Sequence, residues 1–87
     1  MGQVMATANQ MAGMEVRRLR IDKGWTHEDM SGEIYKKFGV RFQTSARTIW
    51  RVESGHKPSV RKQFAIAMVL GVVPSQLWDN TRAGSAA

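Results

Sequence analysis

The sequence predicts an all-α fold, and three observations carry that expectation. Apolar residues recur at three- and four-residue spacing in successive short runs: Ala12, Val16 and Leu19; Met30, Ile34 and Phe38; Ile49 and Val52. That spacing puts each set on one face of a helix. Gly24, Gly39, Gly55 and Gly71 each stand just past such a run, where a left-handed residue commonly closes a helix. Nowhere is there β-branched alternation long enough for a sheet.

Eighty-seven residues allow one domain, and 43% apolar content allows a modest core. The chain has no cysteine, so neither a disulfide framework nor a zinc-finger staple is available. Nothing approaches the roughly 20 consecutive apolar residues of a membrane span. Met1 to Ala12 lacks the basic start and long apolar stretch of a secretory leader. A soluble, cytoplasmic protein without membrane contact is the expectation.

In chain order, residues 1–8 read as a flexible lead-in, 9–78 as the folded domain and 79–87 as a disordered tail. The first helix is expected from about Asn9 to Lys23, capped by Thr7 or Asn9, with Ala12, Val16, Leu19 and the stem of Lys23 on its inner face. Trp25 then plugs the linker. Thr26 and Asp29 approximate a capping box for a second helix over His27 to about Lys37. Its inner stripe is Met30, Ile34 and Phe38, and Gly32 offers a place for a close helix approach. Ser45 is the best cap for a short third helix, closed by Gly55 and kept from resuming by Pro58. Ser59 caps a fourth helix from Val60 to Leu70, with Phe64, Ala67, Met68 and Leu70 toward the core. Pro74 to Trp78 reads as a short fifth helix with proline in its first turn.

Charge is distributed unevenly. Lys36 to Lys62 holds eight basic residues against the single acid Glu53, whereas Glu15 to Glu33 holds four basic and five acidic. The net charge of +6 therefore arises in the middle of the chain. Such asymmetry is the footprint of a face that binds a polyanion. The third helix, apolar on one side and arginine-bearing on the other, is the kind of object that enters a DNA major groove.

The run Thr48-Ile49-Trp50-Arg51-Val52-Glu53-Ser54-Gly55, with Pro58-Ser59 after it, resembles the recognition helix of the phage Cro/repressor-type helix-turn-helix family. Ile66 to Val72 followed by Leu77-Trp78 resembles that family's fourth helix and the short helix after it. Arg17 to Arg20 and then Lys23 to Met30 resemble its first helix, glycine stop and second helix. Together these cover roughly residues 15 to 78. The resemblance implies a compact five-helix, lambda-repressor-like domain in a bacterial or phage-infected cell. One feature departs from the pattern. Tyr35 to Thr44 exceeds the usual short turn, so the second helix is longer, or the turn is a loop, or both. Gly39 is expected to stop the helix, with Val40 and Phe42 anchoring the loop on the core.

By position in the family motif, Ala46, Arg47 and Arg51 are base-reading residues, with Ser45 just ahead of them. Arg47 suits bidentate bonding to a guanine, Ala46 offers only a methyl for a thymine methyl, and Arg51 is open between a base and a phosphate. The resemblance also implies that His27 contacts a phosphate at the start of the second helix. Lys36, Lys37, Arg41, Thr48 and Lys57 complete the expected phosphate contacts. It implies a partly buried ion pair between Arg20 and Glu53; a solvated acid at a helix end is the other reading of Glu53. Trp50 either stacks on a sugar or thymine methyl, or packs on the enlarged loop through Phe42, which is the expected arrangement. His56 is expected to be exposed.

Two lone histidines without cysteine or clustered acids predict no metal and no cofactor. The serines lie at caps and turns and His27 has no evident partner, so no nucleophile–base pair and no enzyme is expected. The function implied is a double-stranded DNA-binding regulator that occupies an operator, in a chain leaving no room for a separate sensing domain. It would act as a homodimer through Leu77 and Trp78, its recognition helices about 34 Å apart, the other reading of Trp78 being that it closes the core. The alternative is an antitoxin of the same fold that neutralises a toxin protein and regulates its own operon. A third possibility is a nucleic-acid adaptor without sequence choice.

Overall fold

A computed structural model describes residues 6–78. The expected tail over 79–87 and the first five residues of the expected lead-in lie outside the described residues. The fold is all-α: four α-helices, α1 Ala8–Asp22, α2 His27–Phe38, α3 Ala46–Glu53 and α4 Val60–Val69, with no strand among the described residues. Two single 3₁₀ turns, Val40–Phe42 and Pro74–Gln76, follow α2 and α4. The second of these stands where a fifth helix was expected. Trp78 follows Pro74 within about one turn and its indole goes into the core, and one turn is too short to sustain an α-helix.

Each helix begins on a hydroxyl. Thr7, Thr26, Ser45 and Ser59 accept hydrogen bonds from the backbone N–H three residues on, at Gln10, Asp29, Thr48 and Lys62. Gln10 and Asp29 return the bond to the backbone of Thr7 and Thr26, completing two capping boxes. Thr7 is thus the cap, of the two residues expected, and α1 starts one residue earlier than expected, at Ala8. At the other end of α2, Gly39 takes φ 83°, a conformation that a side chain there would resist.

α1 packs on α3, and α2 packs on both α3 and α4. The core they enclose is Ala12, Val16, Met30, Ile34, Ile49, Val52, Ala65, Ile66, Val69, Leu70 and Trp78. On α4 the inward face is rotated from the expected one. Gln63, Ile66, Ala67 and Leu70 are buried, while Phe64 and Met68 are exposed. Val60 to Val69 is apolar nearly all round beyond Lys62, so periodicity did not single out a face. Lys23 is also exposed, its ammonium 5.4 Å from the centroid of the Trp25 ring, so it adds nothing to the core stripe.

The close approach between helices falls at Gly13, not Gly32. A Cβ on Gly13 would collide with the carbonyl oxygen of Val52 and lie 2.8 Å from that of Glu53. A Cβ on Gly32 would meet nothing within 4 Å. The stretch between α2 and α3 is both a slightly longer helix and a turn. Phe42 packs with Phe38 and Phe64, ring centroids 5.8 and 5.6 Å away. Thr44 is fully buried: Ser31 Oγ donates to its carbonyl at 2.6 Å, and its own hydroxyl donates to the Phe42 carbonyl at 3.0 Å. Val40, expected to anchor this loop, is 67% exposed, because the 3₁₀ turn that seats Phe42 carries Val40 outward.

Candidate nucleic-acid interface

The position of α3 is set from inside. Ile49 and Val52 are buried, and Glu53, one residue on, closes an ion pair with α1. Arg20 Nε donates to Glu53 Oε2 at 2.6 Å and Nη2 to Oε1 at 3.1 Å, the two side chains being 9% and 6% exposed. Arg20 Nη1 also donates to the Trp25 carbonyl at 2.8 Å, so the guanidinium joins α1, the following linker and α3. A third group completes the carboxylate. His27 Nε2 lies 3.0 Å from Glu53 Oε1, and since a carboxylate only accepts, the imidazole nitrogen donates. His27 therefore has an internal partner that the sequence alone did not suggest. Its Nε2 faces an internal acid at the first residue of α2, and any outside contact is left to the rest of the ring and the helix start.

Residues of α3 line two shallow concavities, one on either side. The first is lined by Thr48, Arg51, His56, Lys57, Ser59 and Lys62, with Val52 and Pro58 as its floor. Three fixed cations therefore converge where α4 begins, and no acid lines the same space. Gln63 Nε2 donates to the Pro58 carbonyl at 2.8 Å, which fixes the turn carrying Lys57. The nitrogen Nη2 of Arg51 is 3.3 Å from His56 Nε2. Arginine has no acceptor, so the imidazole accepts, and Arg51 is drawn toward this concavity. Arg51 thereby lies with Lys57 and Lys62 rather than beside Arg47. Lys62 and His56 were absent from the expected contacts. Lys62 lies three residues past the cap Ser59, a spacing that would have placed it in the first turn of α4.

The second concavity is lined by His27, Glu28, Ala46, Arg47 and Trp50. Arg47 is exposed there. Contrary to the expectation that Trp50 packs on Phe42, that ring is taken up by Phe38 and Phe64, and Trp50 is 56% exposed. Glu28 went unremarked in the sequence, being one of several acids at the start of α2.

No family model, curated protein or solved structure matches the chain.

Ser45 is a capping residue. Its hydroxyl accepts from Thr48 N–H at 3.1 Å and donates to Thr48 Oγ1 at 3.0 Å, the cap expected for α3. Lys36 bonds Glu33 at 3.1 Å and shares a concavity with Glu28, Asp29 and Glu33. That acidic setting separates it from the cations around α3. Lys37 and Arg41 are exposed, but neither lines the two concavities flanking α3. Trp78 is 3% exposed and closes the core, while Leu77 packs against the core and also lines a surface concavity with Met11 and Glu15. Among the described residues no group of three His, Cys, Asp or Glu could hold a metal, and no helix is long and apolar enough to cross a membrane.

Proposed function

We propose that the chain is a sequence-specific double-stranded DNA-binding regulator of the Cro/repressor kind, with α2, the enlarged turn and α3 acting as its helix-turn-helix. The observation that carries this is the construction of α3. It is a short helix locked to α1 through a buried Arg20–Glu53 pair, with Arg47 outward and a cluster of cations at its flank. A rigid mount with an arginine toward solvent suits bidentate recognition of a guanine, while Arg51, Lys57 and Lys62 suit an adjacent phosphate. The protein acts in the cytoplasm as a binding module without catalysis, on operators of two-fold symmetry.

Selection of binding sites from random duplex DNA tests the reading. The expected result is one sequence family bound at least about 10³-fold more tightly than scrambled duplex at the same salt. Equal affinities with a steep salt slope for both would leave only a nonspecific polyanion binder. Arg47→Ala is expected to remove about 1–3 kcal/mol of discrimination at a single guanine. One observation favours the antitoxin alternative: Met11, Met14 and Ile21 lie exposed along α1, away from the cations of α3. Co-purification of a second protein that protects those residues would support it.

A further inference from the structure

Trp50 makes none of the contacts that mount α3 on the fold. The other two indoles are occupied: Trp78 is buried, and Trp25 packs on the core beneath Lys23. Trp50 is 56% exposed, although burying apolar surface is favourable. It stands three residues after Arg47 and four after Ala46, so all three share one face of α3. They also line one concavity. Ala46 and Trp50 are thus an apolar pair set beside a guanidinium. The indole carries no charge for a phosphate, and the cations at the start of α4 already supply that chemistry. In a major groove the apolar feature of a base edge is the C5-methyl group of thymine.

Resting on the reading of α3 as a groove helix, we propose that Ala46 and Trp50 form a seat for a pyrimidine C5-methyl group. Trp50 is then a specificity-determining residue that selects thymine next to the base read by Arg47. The same seat accepts the methyl of 5-methylcytosine, which has the same group on the same ring atom.

The test uses the full chain and a duplex obtained by site selection. Each thymine is replaced singly by deoxyuridine, which removes only the methyl group, and Kd is measured for the unaltered protein and for Trp50→Ala. Trp50 is exposed, so Trp50→Ala is expected to keep its helical circular dichroism and melting temperature. One thymine per half-site is expected to show about a fourfold loss on demethylation, the scale of one buried methyl. In Trp50→Ala the same replacement is expected to change nothing. At that position cytosine is expected to bind more weakly than thymine, and 5-methylcytosine to recover part of the loss.

Demethylation that costs both proteins alike at every thymine, or costs neither, overturns the proposal. So does a Trp50→Ala protein with undiminished DNA affinity, which would show that the indole takes no part in DNA binding. Failure to select any sequence removes the DNA-binding reading and this inference with it. A selected sequence without methyl dependence removes this inference alone.

Discussion

Glu53 accepts hydrogen bonds from Arg20 and His27 while its side chain is 6% exposed, so removing its charge strands a guanidinium in the interior. Glu53→Gln is expected to cost roughly 3–5 kcal/mol, read as a fall in melting temperature of about 10 °C or more. An unchanged melting temperature would mean the pair contributes nothing. Replacing both partners together, Arg20→Met with Glu53→Leu, is expected to recover much of that loss, because no unpaired charge remains. The pair itself was legible only through resemblance, since the two residues stand 33 positions apart. The role of His27 was not legible at all. An imidazole at a helix start can face a phosphate or an internal carboxylate, and burial decides which. Arg51 was ambiguous for a similar reason, and His56 is what draws it aside.

At the scale of elements, the two glycines of α1 and α2 make opposite cases. Gly13→Ala gains helix propensity of about 1 kcal/mol, but its Cβ meets the backbone of Val52 and Glu53, which cannot swing away. It is expected to be destabilising, because α1 must lift from α3. Gly32→Ala meets open space and is expected to stabilise by up to about 1 kcal/mol. Chemical denaturation of the two variants checks the contrast. Helix positions were legible because they are set locally: hydroxyl caps at Thr7, Thr26, Ser45 and Ser59 and the glycines beyond each end are written in consecutive residues. What α4 buries was not, because Phe64 and Ile66 are both plausible core residues and the choice lies with neighbours far along the chain. Phe64 leaves the core because Phe38 and Phe42 receive it, ring centroids 5.5 and 5.6 Å away. Gly13 left one trace, a glycine on the same helical face as Val16 and Arg20. Glu15 is locally determined too: Arg18 hydrogen-bonds its carboxylate and holds its pKa below the usual value, on an exposed face where such a pair contributes little.

For the whole molecule, the uneven charge seen in the sequence is sharpened by folding. Arg51, Lys57 and Lys62 converge on one concavity, while Lys36 is turned among acids. Neutralising Lys57 and Lys62 is expected to weaken binding to every duplex alike and to reduce the slope of log K against log salt by about 0.9 for each phosphate left without its cation. Titrations on selected and scrambled duplexes check this, and a changed ratio between them would assign these lysines to base reading. Charge reversal at Lys36 is expected to do less than reversal at Lys37 or Arg41, because Lys36 already answers Glu33. The stretch after α2 carries a last implication. Phe42 is clasped by two rings and Thr44 is held by Ser31, so the chain entering α3 is pinned at both residues before Ile49, Val52 and Glu53 seat the helix itself. Val40 and Arg41 are exposed but belong to the 3₁₀ turn that seats Phe42, held by Phe42 N–H to the Gly39 carbonyl and Gln43 N–H to that of Val40, so an insertion or deletion there is expected to unseat the ring. Loss of the Phe42 ring would loosen that entry even at unchanged length.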